Sequence, residues 1–230
     1  GRRRFLDSAL CQVYRPYLVA LRRYTRLVAQ KNALLKSYEI TPNAALLLDA
    51  YNEQLAQYGG QIMEHRRKFI AELAPIAAKN YSEISHDAEV LQLNYQLCAN
   101  NTTADALAEK LESVKNAELR AGFCLAGPHR EDLEIKLDDQ PARVFGSQGQ
   151  QRSCVLAMKL AEASVVGSLF GEHPVLLLDD VLSELDDGRK QYLLTRMREK
   201  QTFVTSCDDT AFLKTDGEVY RMNGGVLSKA

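Results

Sequence analysis

The chain has 230 residues, 46% hydrophobic and 26% charged, with a formal charge of −1. That length holds one or two domains with a sizeable core, and the composition excludes a disordered or collagen-like chain. The near-neutral total gives no argument for a polyanion partner, and no unbroken apolar run reaches the eighteen or so residues of a membrane span.

Residues 5–14 and 16–38 read as helices, with Tyr14, Tyr17, Leu18, Leu21, Tyr24, Leu27 and Val28 recurring at spacings of three and four. Pro16 suits the first turn of the second helix. Thr41 and Pro42 read as N-cap and first residue of another long helix, reaching to about residue 85. Gly59-Gly60 and Pro75 are expected to weaken or bend it. A short loop between two long helices predicts an antiparallel hairpin, an arm suited to reaching or docking. Residues 1–36 carry nine basic residues against the single acid Asp7. Such a field fits a phosphate backbone, and equally a solvated face balanced by acids elsewhere.

From residue 89 the period changes to two, predicting a strand over 89–97, then a helix over 104–120 capped by Thr103. Short strands are expected at 123–126, 133–137 and 143–145, with a turn at Asp138 to Pro141. A helix over 149–169 follows, then a buried strand at 175–178, a helix at 187–199, a strand at 202–206, a helix at 209–213 and a last strand near 218–222. Alternating helices and unbroken apolar strands predict an α/β lobe with parallel strands. The five cysteines are odd in number, none in CxxC spacing, and the four histidines are scattered. Reduced thiols in a cytoplasmic protein are therefore expected, with no zinc site. The sequence is also read as lacking a signal peptide.

Three stretches carry chemistry. Val175 to Leu178 followed by Asp179-Asp180 has the form of a Walker B element. A carboxylate at the C-terminal end of a buried parallel strand can hold Mg²⁺ through water, and its neighbour can orient or deprotonate an attacking water. Gly146-Ser147-Gln148-Gly149-Gln150 precedes a helix; the glycines admit backbone to a phosphate, and the helix offers free N–H groups to an anion. Ser183-Glu184-Leu185-Asp186 comes three residues after Asp180. Each has a plain structural explanation, a solvated strand end or a helix cap, but their order is that of an ABC-type ATPase head.

At these residues the chain resembles the C-terminal part of the bacterial RecF family, DNA-binding ATPases related to SMC proteins. The matching stretches are Arg3 to Asp7, Gly127 to Leu133, Gly146 to Arg152 and Leu176 to Asp186, in the family's order. The resemblance implies an arm domain at 1–121 and, at 122–230, the C-terminal lobe of an ABC-type head. It implies ATP and Mg²⁺ as ligands, an ATP-dependent homodimer, and binding to double-stranded and gapped DNA. It also implies work with RecO and RecR to load RecA recombinase at single-strand/double-strand junctions, without a membrane.

By position, Ser147 resembles the signature serine that meets the nucleotide of the other subunit, with Gln148, Gly149 and Gln150 shaping that contact. Asp179 resembles the magnesium acid, and Asp180 stands at the catalytic glutamate position. Ser183 and Asp186 resemble the D-loop, and Thr205 or Ser206 falls where many heads have a switch histidine. Arg2, Arg3, Arg4, Arg22 and Arg23 are candidate DNA contacts, though Arg2 to Arg4 equally fit packing against a neighbouring lobe. His129 and Arg130 fit either a phosphate contact or a turn, the turn being preferred.

Gln148 replaces the usual glycine, Asp180 is one methylene shorter than glutamate, and Thr205 replaces histidine. These departures imply slow hydrolysis, a weak DNA-dependent ATPase with ATP serving mainly to hold the dimer. No G-x-x-x-x-G-K-[ST] occurs, so the chain is read as a truncated form without the Walker A lobe, inactive alone. A reading of another class is a non-catalytic interaction module acting through the arm. A transporter nucleotide-binding domain fits less well, because the arm is too long.

Overall fold

The computed structural model describes residues 1–182, 187–197, 200–207 and 217–229. Helix α1 (Arg2–Val13) ends at Tyr14, whose backbone is extended, and α2 (Arg15–Lys36) begins with Pro16 in its first turn. A 3₁₀ turn (Tyr38–Ile40) leads to α3 (Ala44–Ser85). Thr41 does not cap α3: its hydroxyl donates to the Ser37 carbonyl (2.8 Å), so the side chain closes the end of α2 instead. Asn43, left-handed at φ 57°, is the N-cap, and Pro42 lies outside the helix.

The 42 residues of α3 form one unbroken helix, about 63 Å long at 1.5 Å per residue. Gly59 and Gly60 do not interrupt it. They admit α4 (Ala104–Ala121). A Cβ at Gly59 would meet Leu107 Cδ2 at 2.3 Å, and one at Gly60 would meet the Ala104 backbone nitrogen at 2.9 Å. Pro75 sits within the helix between buried Leu73 and Ala77. Further along, the Asn80 side chain donates to the Ala157 carbonyl of α6 (Gln148–Phe170) at 3.2 Å. Helix α6 has the length and apolarity of a membrane span, but more than half of its apolar window is buried, and it packs along α3.

Strands β1 (Leu91–Gln96), β2 (Asp132–Leu137) and β3 (Gln140–Pro141) form an antiparallel sheet, with Leu93 opposite Ile135 and Tyr95 opposite Leu133. The β2–β3 turn is only Asp138-Asp139, both at positive φ, as a two-residue hairpin requires. Residues 143–145, expected as a strand, lie in the short helix α5 (Ala142–Phe145). Residues 123–126 are not a strand either. Their N–H groups turn to side chains, Cys124 N to Asn32 Oδ1 and Leu125 N to Glu118 Oε1, both at 2.7 Å.

Parallel pairing, expected throughout the lobe, is confined among the described residues to β4 (Leu176–Asp179) and β5 (Thr202–Thr205). Helix α7 (Asp187–Met197) lies between them in sequence. Strands β6 (Tyr220–Asn223) and β7 (Val226–Lys229) form an exposed hairpin through Gly224-Gly225, of which the sequence suggested only the first strand. The expected helix at 209–213 lies outside the described residues.

One apolar cluster runs from Leu6 and Leu10 of α1 through Leu55, Met63 and Tyr81 of α3 to Leu133, Leu156 and Leu193. Two ionic groupings cross it. Lys31 and Glu118, both fully buried, meet at 2.6 Å and join α2 to α4. Beyond that contact, neither Lys31 Nζ nor Glu118 Oε2 has a hydrogen-bond partner among the described residues. Arg66 of α3 is also buried. It donates to Asp7 Oδ1 of α1 (2.7 Å), the Tyr17 hydroxyl of α2 (3.0 Å) and the Pro128 carbonyl (2.8 Å). It stands 3.8 Å from Glu131, whose other partners are Tyr95 and the Cys98 N–H.

Truncating Arg66 to Ala would strand the buried Glu131 carboxylate and free Asp7, a loss of about 3–5 kcal/mol readable by urea unfolding. Gly60→Ala should also lower the melting temperature. Helix propensity favours Ala by about 1 kcal/mol, but pushing α4 outward costs about 1–3 kcal/mol.

Candidate nucleotide and nucleic-acid site

The parallel pair ends where the sequence placed its acids. Asp179 is the register partner of Thr205, whose hydroxyl donates to Asp179 Oδ1 at 2.5 Å. The Asp180 N–H donates to the Thr205 carbonyl and hydroxyl, each at 3.1 Å. Asp180 itself is left-handed, φ 52°, so the chain turns sharply out of β4; Asp tolerates this region better than most residues. Buried Leu182 then anchors the segment. Ser183 and Asp186 lie outside the described residues.

Burial of β4 on both faces, as the sequence suggested, is not found. Leu177 is 75% exposed and its register partner Phe203 58%. Leu176, Leu178 and Val204 pack against the core, whereas Leu177, Asp179, Phe203 and Thr205 occupy the open face. Among the described residues no group of three or more His, Cys, Asp or Glu could cage a metal. One exposed carboxylate, with one oxygen engaged by Thr205, suits a Mg²⁺ ion that keeps its waters and leans on substrate phosphates.

The second cluster is the start of α6. Ser147 is its N-cap and forms a capping box with Gln150. Its Oγ accepts from Gln150 N (3.2 Å), and its N–H donates to Gln150 Oε1 (2.6 Å). A plain cap and a phosphate contact are compatible here, because the serine uses only a lone pair in the cap and its O–H remains to donate. Gln148 and Gly149 occupy the first helical turn, whose N–H groups and dipole favour an anion. A Cβ at Gly149 would sit 3.1 Å from Arg189 Nη1 of α7, so this glycine leaves room for that side chain.

Sequence reasoning missed Glu89. It accepts from the Gln150 side chain through one oxygen and from the Tyr81 hydroxyl (2.6 Å) through the other. Tyr81, near the end of α3, thereby holds Glu89, and Glu89 holds the Gln150 that caps with Ser147. No local pattern signals it, since Glu89 and Gln150 are far apart in sequence.

The basic residues divide. Arg2 pairs with Asp132, and Arg3 Nη1 donates to the carbonyls of His129 (2.6 Å) and Glu131 (3.1 Å). Lys31, counted in the basic set, is buried against Glu118 and adds nothing to a surface field. Arg4 and Arg22 are exposed. Arg23 is exposed too, bonding the Tyr58 hydroxyl at 2.5 Å and lying over its ring.

Gly127 to Arg130 forms a turn closed by Arg130 N to Gly127 O (2.8 Å). Gly127 has φ 125°, and a Cβ there would fall 2.0 Å from the Tyr24 hydroxyl. Arg130 donates to the Cys124 carbonyl at 2.9 and 3.2 Å. His129 bridges the same carbonyl (Nε2, 3.3 Å) and Tyr24 (Nδ1, 2.7 Å). A carbonyl only accepts, so Nε2 carries the proton and Nδ1 accepts from the phenol.

Burial lowers the His129 pKa to about 4; the Cys124 carbonyl opposes this, and the charges of Arg130, Lys31 and Arg3 add to it. The unfolded imidazole protonates near pH 6.5. Stability from this group is therefore full above that pH and is lost as pH falls towards 4, by about 3 kcal/mol in all. In His129→Gln, chemical-denaturation stability should show a correspondingly smaller fall across that window.

No family profile matches the chain. Curated proteins named DNA replication and repair protein RecF do. That of Macrococcus caseolyticus is 42% identical over 212 residues, covering 89% of this chain and 58% of the relative. That of Acetivibrio thermocellus is 36% identical over 218 residues (92% and 59%), and that of Staphylococcus aureus 38% over 240 (99% and 65%). The chain thus spans about 60% of the length of these relatives. A solved structure of the recombination mediator protein RecF-ATP in the RecFOR pathway superposes over the whole chain and 62% of its own, with TM-score 0.86 and 31% identity. The Smc head domain of Pyrococcus furiosus, at TM-score 0.50 and 14% identity, shares the fold alone.

Proposed function

Because the chain belongs to the RecF family, we propose that it serves recombinational repair of gapped DNA as the signature-bearing part of an ATP-dependent dimer. Residues 1–121 act as the arm domain and 122–230 as the C-terminal lobe. The observation that carries this reading is the meeting of Asp179, Asp180 and Thr205 at the end of the parallel pair, on a chain whose α6 is opened by the Ser147–Gln150 capping box.

In this reading Asp179 would hold Mg²⁺ through water, and the ion would supply positive charge against the phosphates. Thr205 fixes the Asp179 carboxylate through Oδ1. Asp180 orients the attacking water, but its short side chain and the lack of a histidine at Thr205 make the step slow. Ser147 donates its O–H to the nucleotide of the opposite subunit, assisted by the first turn of α6 at Gln148 and Gly149. Ser183 and Asp186 line the dimer seam. Arg4, Arg22 and Arg23 face the DNA backbone, with Arg2 and Arg3 bordering them while held by Asp132 and by the His129 and Glu131 carbonyls, and RecO and RecR act with the protein to load RecA in the cytoplasm.

This reading predicts two behaviours. This chain alone should bind ATP weakly and release no phosphate above background. In a whole family member bearing these residues, Ser147→Arg should abolish the ATP-induced shift from monomer to dimer in multi-angle light scattering. Nanomolar ATP affinity of the isolated chain by calorimetry would overturn the reading. Intact repair with Asp180→Asn would favour a non-catalytic interaction module.

A further inference from the structure

A cleft of about 500 Å³ opens beside the start of α1. Arg2, Arg3, Arg4 and Arg143 line it, with Asp7 and Asp132 as the acids. Both acids are already engaged, Asp132 by Arg2 and Asp7 by the buried Arg66. Arg3 is fixed by two backbone carbonyls. Carbonyls accept its hydrogen bonds but leave its charge uncompensated. Arg4 and Arg143 are exposed, and among the described residues neither has a hydrogen bond or ion pair. The cleft therefore presents one immobilised guanidinium and two free ones around a space that would admit a small oxyanion. Guanidinium groups match phosphate oxygens in fork geometry, and like charges crowded in one cleft favour an anion among them.

We propose that this cleft binds a phosphate group, with Arg4 and Arg143 as its direct ligands and Arg3 as a fixed third charge. Arg143 sits on the four-residue α5, which leads directly into Gly146 and the Ser147 cap. A phosphate held there lies one short helix from the signature serine. The phosphate comes either from a nucleic-acid backbone or from a free small molecule. For the backbone source the proposal rests on the DNA-binding reading above.

The test compares the 230-residue chain with Arg4→Gln/Arg143→Gln, Arg22→Ala/Arg23→Ala and, as a distant control, Lys110→Ala/Arg120→Ala. In one arm, labelled duplex and single-stranded oligonucleotides are titrated by fluorescence anisotropy across a range of salt. Loss of a backbone phosphate contact at the cleft should reduce the log–log salt slope of the Arg4/Arg143 variant by about one unit per phosphate, with the control unchanged. In the other arm, inorganic phosphate is added in a thermal-shift assay. A phosphate-induced rise in melting temperature that the same variant loses, with an unchanged DNA slope, identifies a free phosphate as the ligand. Arg4→Lys/Arg143→Lys should recover part of whichever effect is seen. All these positions are exposed, so circular dichroism should match the parent. If neither the slope nor the phosphate shift differs from the parent, the cleft proposal is overturned. A slope that falls only in the Arg22/Arg23 variant, with the phosphate shift of the Arg4/Arg143 variant equal to the parent's, removes the cleft and keeps the DNA reading. A parent that binds no oligonucleotide removes the DNA reading and leaves the phosphate arm to decide the cleft.

Discussion

The placement of Arg66 is the constraint on which the other elements depend. A guanidinium taken out of water loses several kcal/mol of hydration unless its donors all find acceptors. Burial lowers its readiness to stay charged, but Tyr17, Tyr95 and Asp7 outweigh this and its pKa rises above the ordinary arginine value. Those partners, with Pro128, come from α1, α2, β1 and the turn before β2. The apolar cluster decides what is inside, but it is non-directional and would tolerate a sliding of helices. Arg66 does not tolerate it. Lys31 and Glu118 repeat the device between α2 and α4, where the same Glu118 also receives the Leu125 N–H. The functional end inherits this order, since α3 continues from Arg66 to Tyr81, which bonds the Glu89 that holds Gln150.

The helices were legible because amphipathic spacing survives any tertiary context. So were the caps at Thr103 and Ser147, where the side chain and the N–H it accepts are three residues apart. What could not be read depended on distant partners. Gly59 and Gly60 resemble a weak point until α4 is seen lying against them. Thr41 has the right identity for a cap, but the Ser37 carbonyl offered a nearer acceptor. Phe123 to Ala126 looks extended, yet its N–H groups are taken by Asn32 and Glu118 rather than by a strand. Arg143 to Phe145 has β-forming residues in a helix of one turn, an override of propensity by context.

The positions of the candidate site residues in the fold were legible to a similar degree and for the same reason. Asp179, Asp180 and Thr205 follow from strand ends in register, which a parallel pair dictates. The place of Ser147 at the start of α6 was legible as well. The roles of the arginines were not legible, because charge counted along a sequence does not distinguish surface from interior. Lys31 is wholly internal, Arg2 and Arg3 bind this chain's own atoms, and only part of the basic set faces water. The turn preferred for His129 and Arg130 is present, but the neutral imidazole comes from burial, which no motif encodes.

The open face of the β4–β5 pair has a further consequence. Leu177 and Phe203 share it with Asp179, so the patch that water leaves most readily adjoins the carboxylate that water stabilises most. Anything that covers the patch lowers the local dielectric around Asp179. The attraction between that carboxylate and a cation varies inversely with this dielectric and is several-fold larger in a half-dry setting than in bulk water. Bare, the acid is an ordinary solvated charge. Covered, it becomes a strong electrostatic anchor without moving an atom.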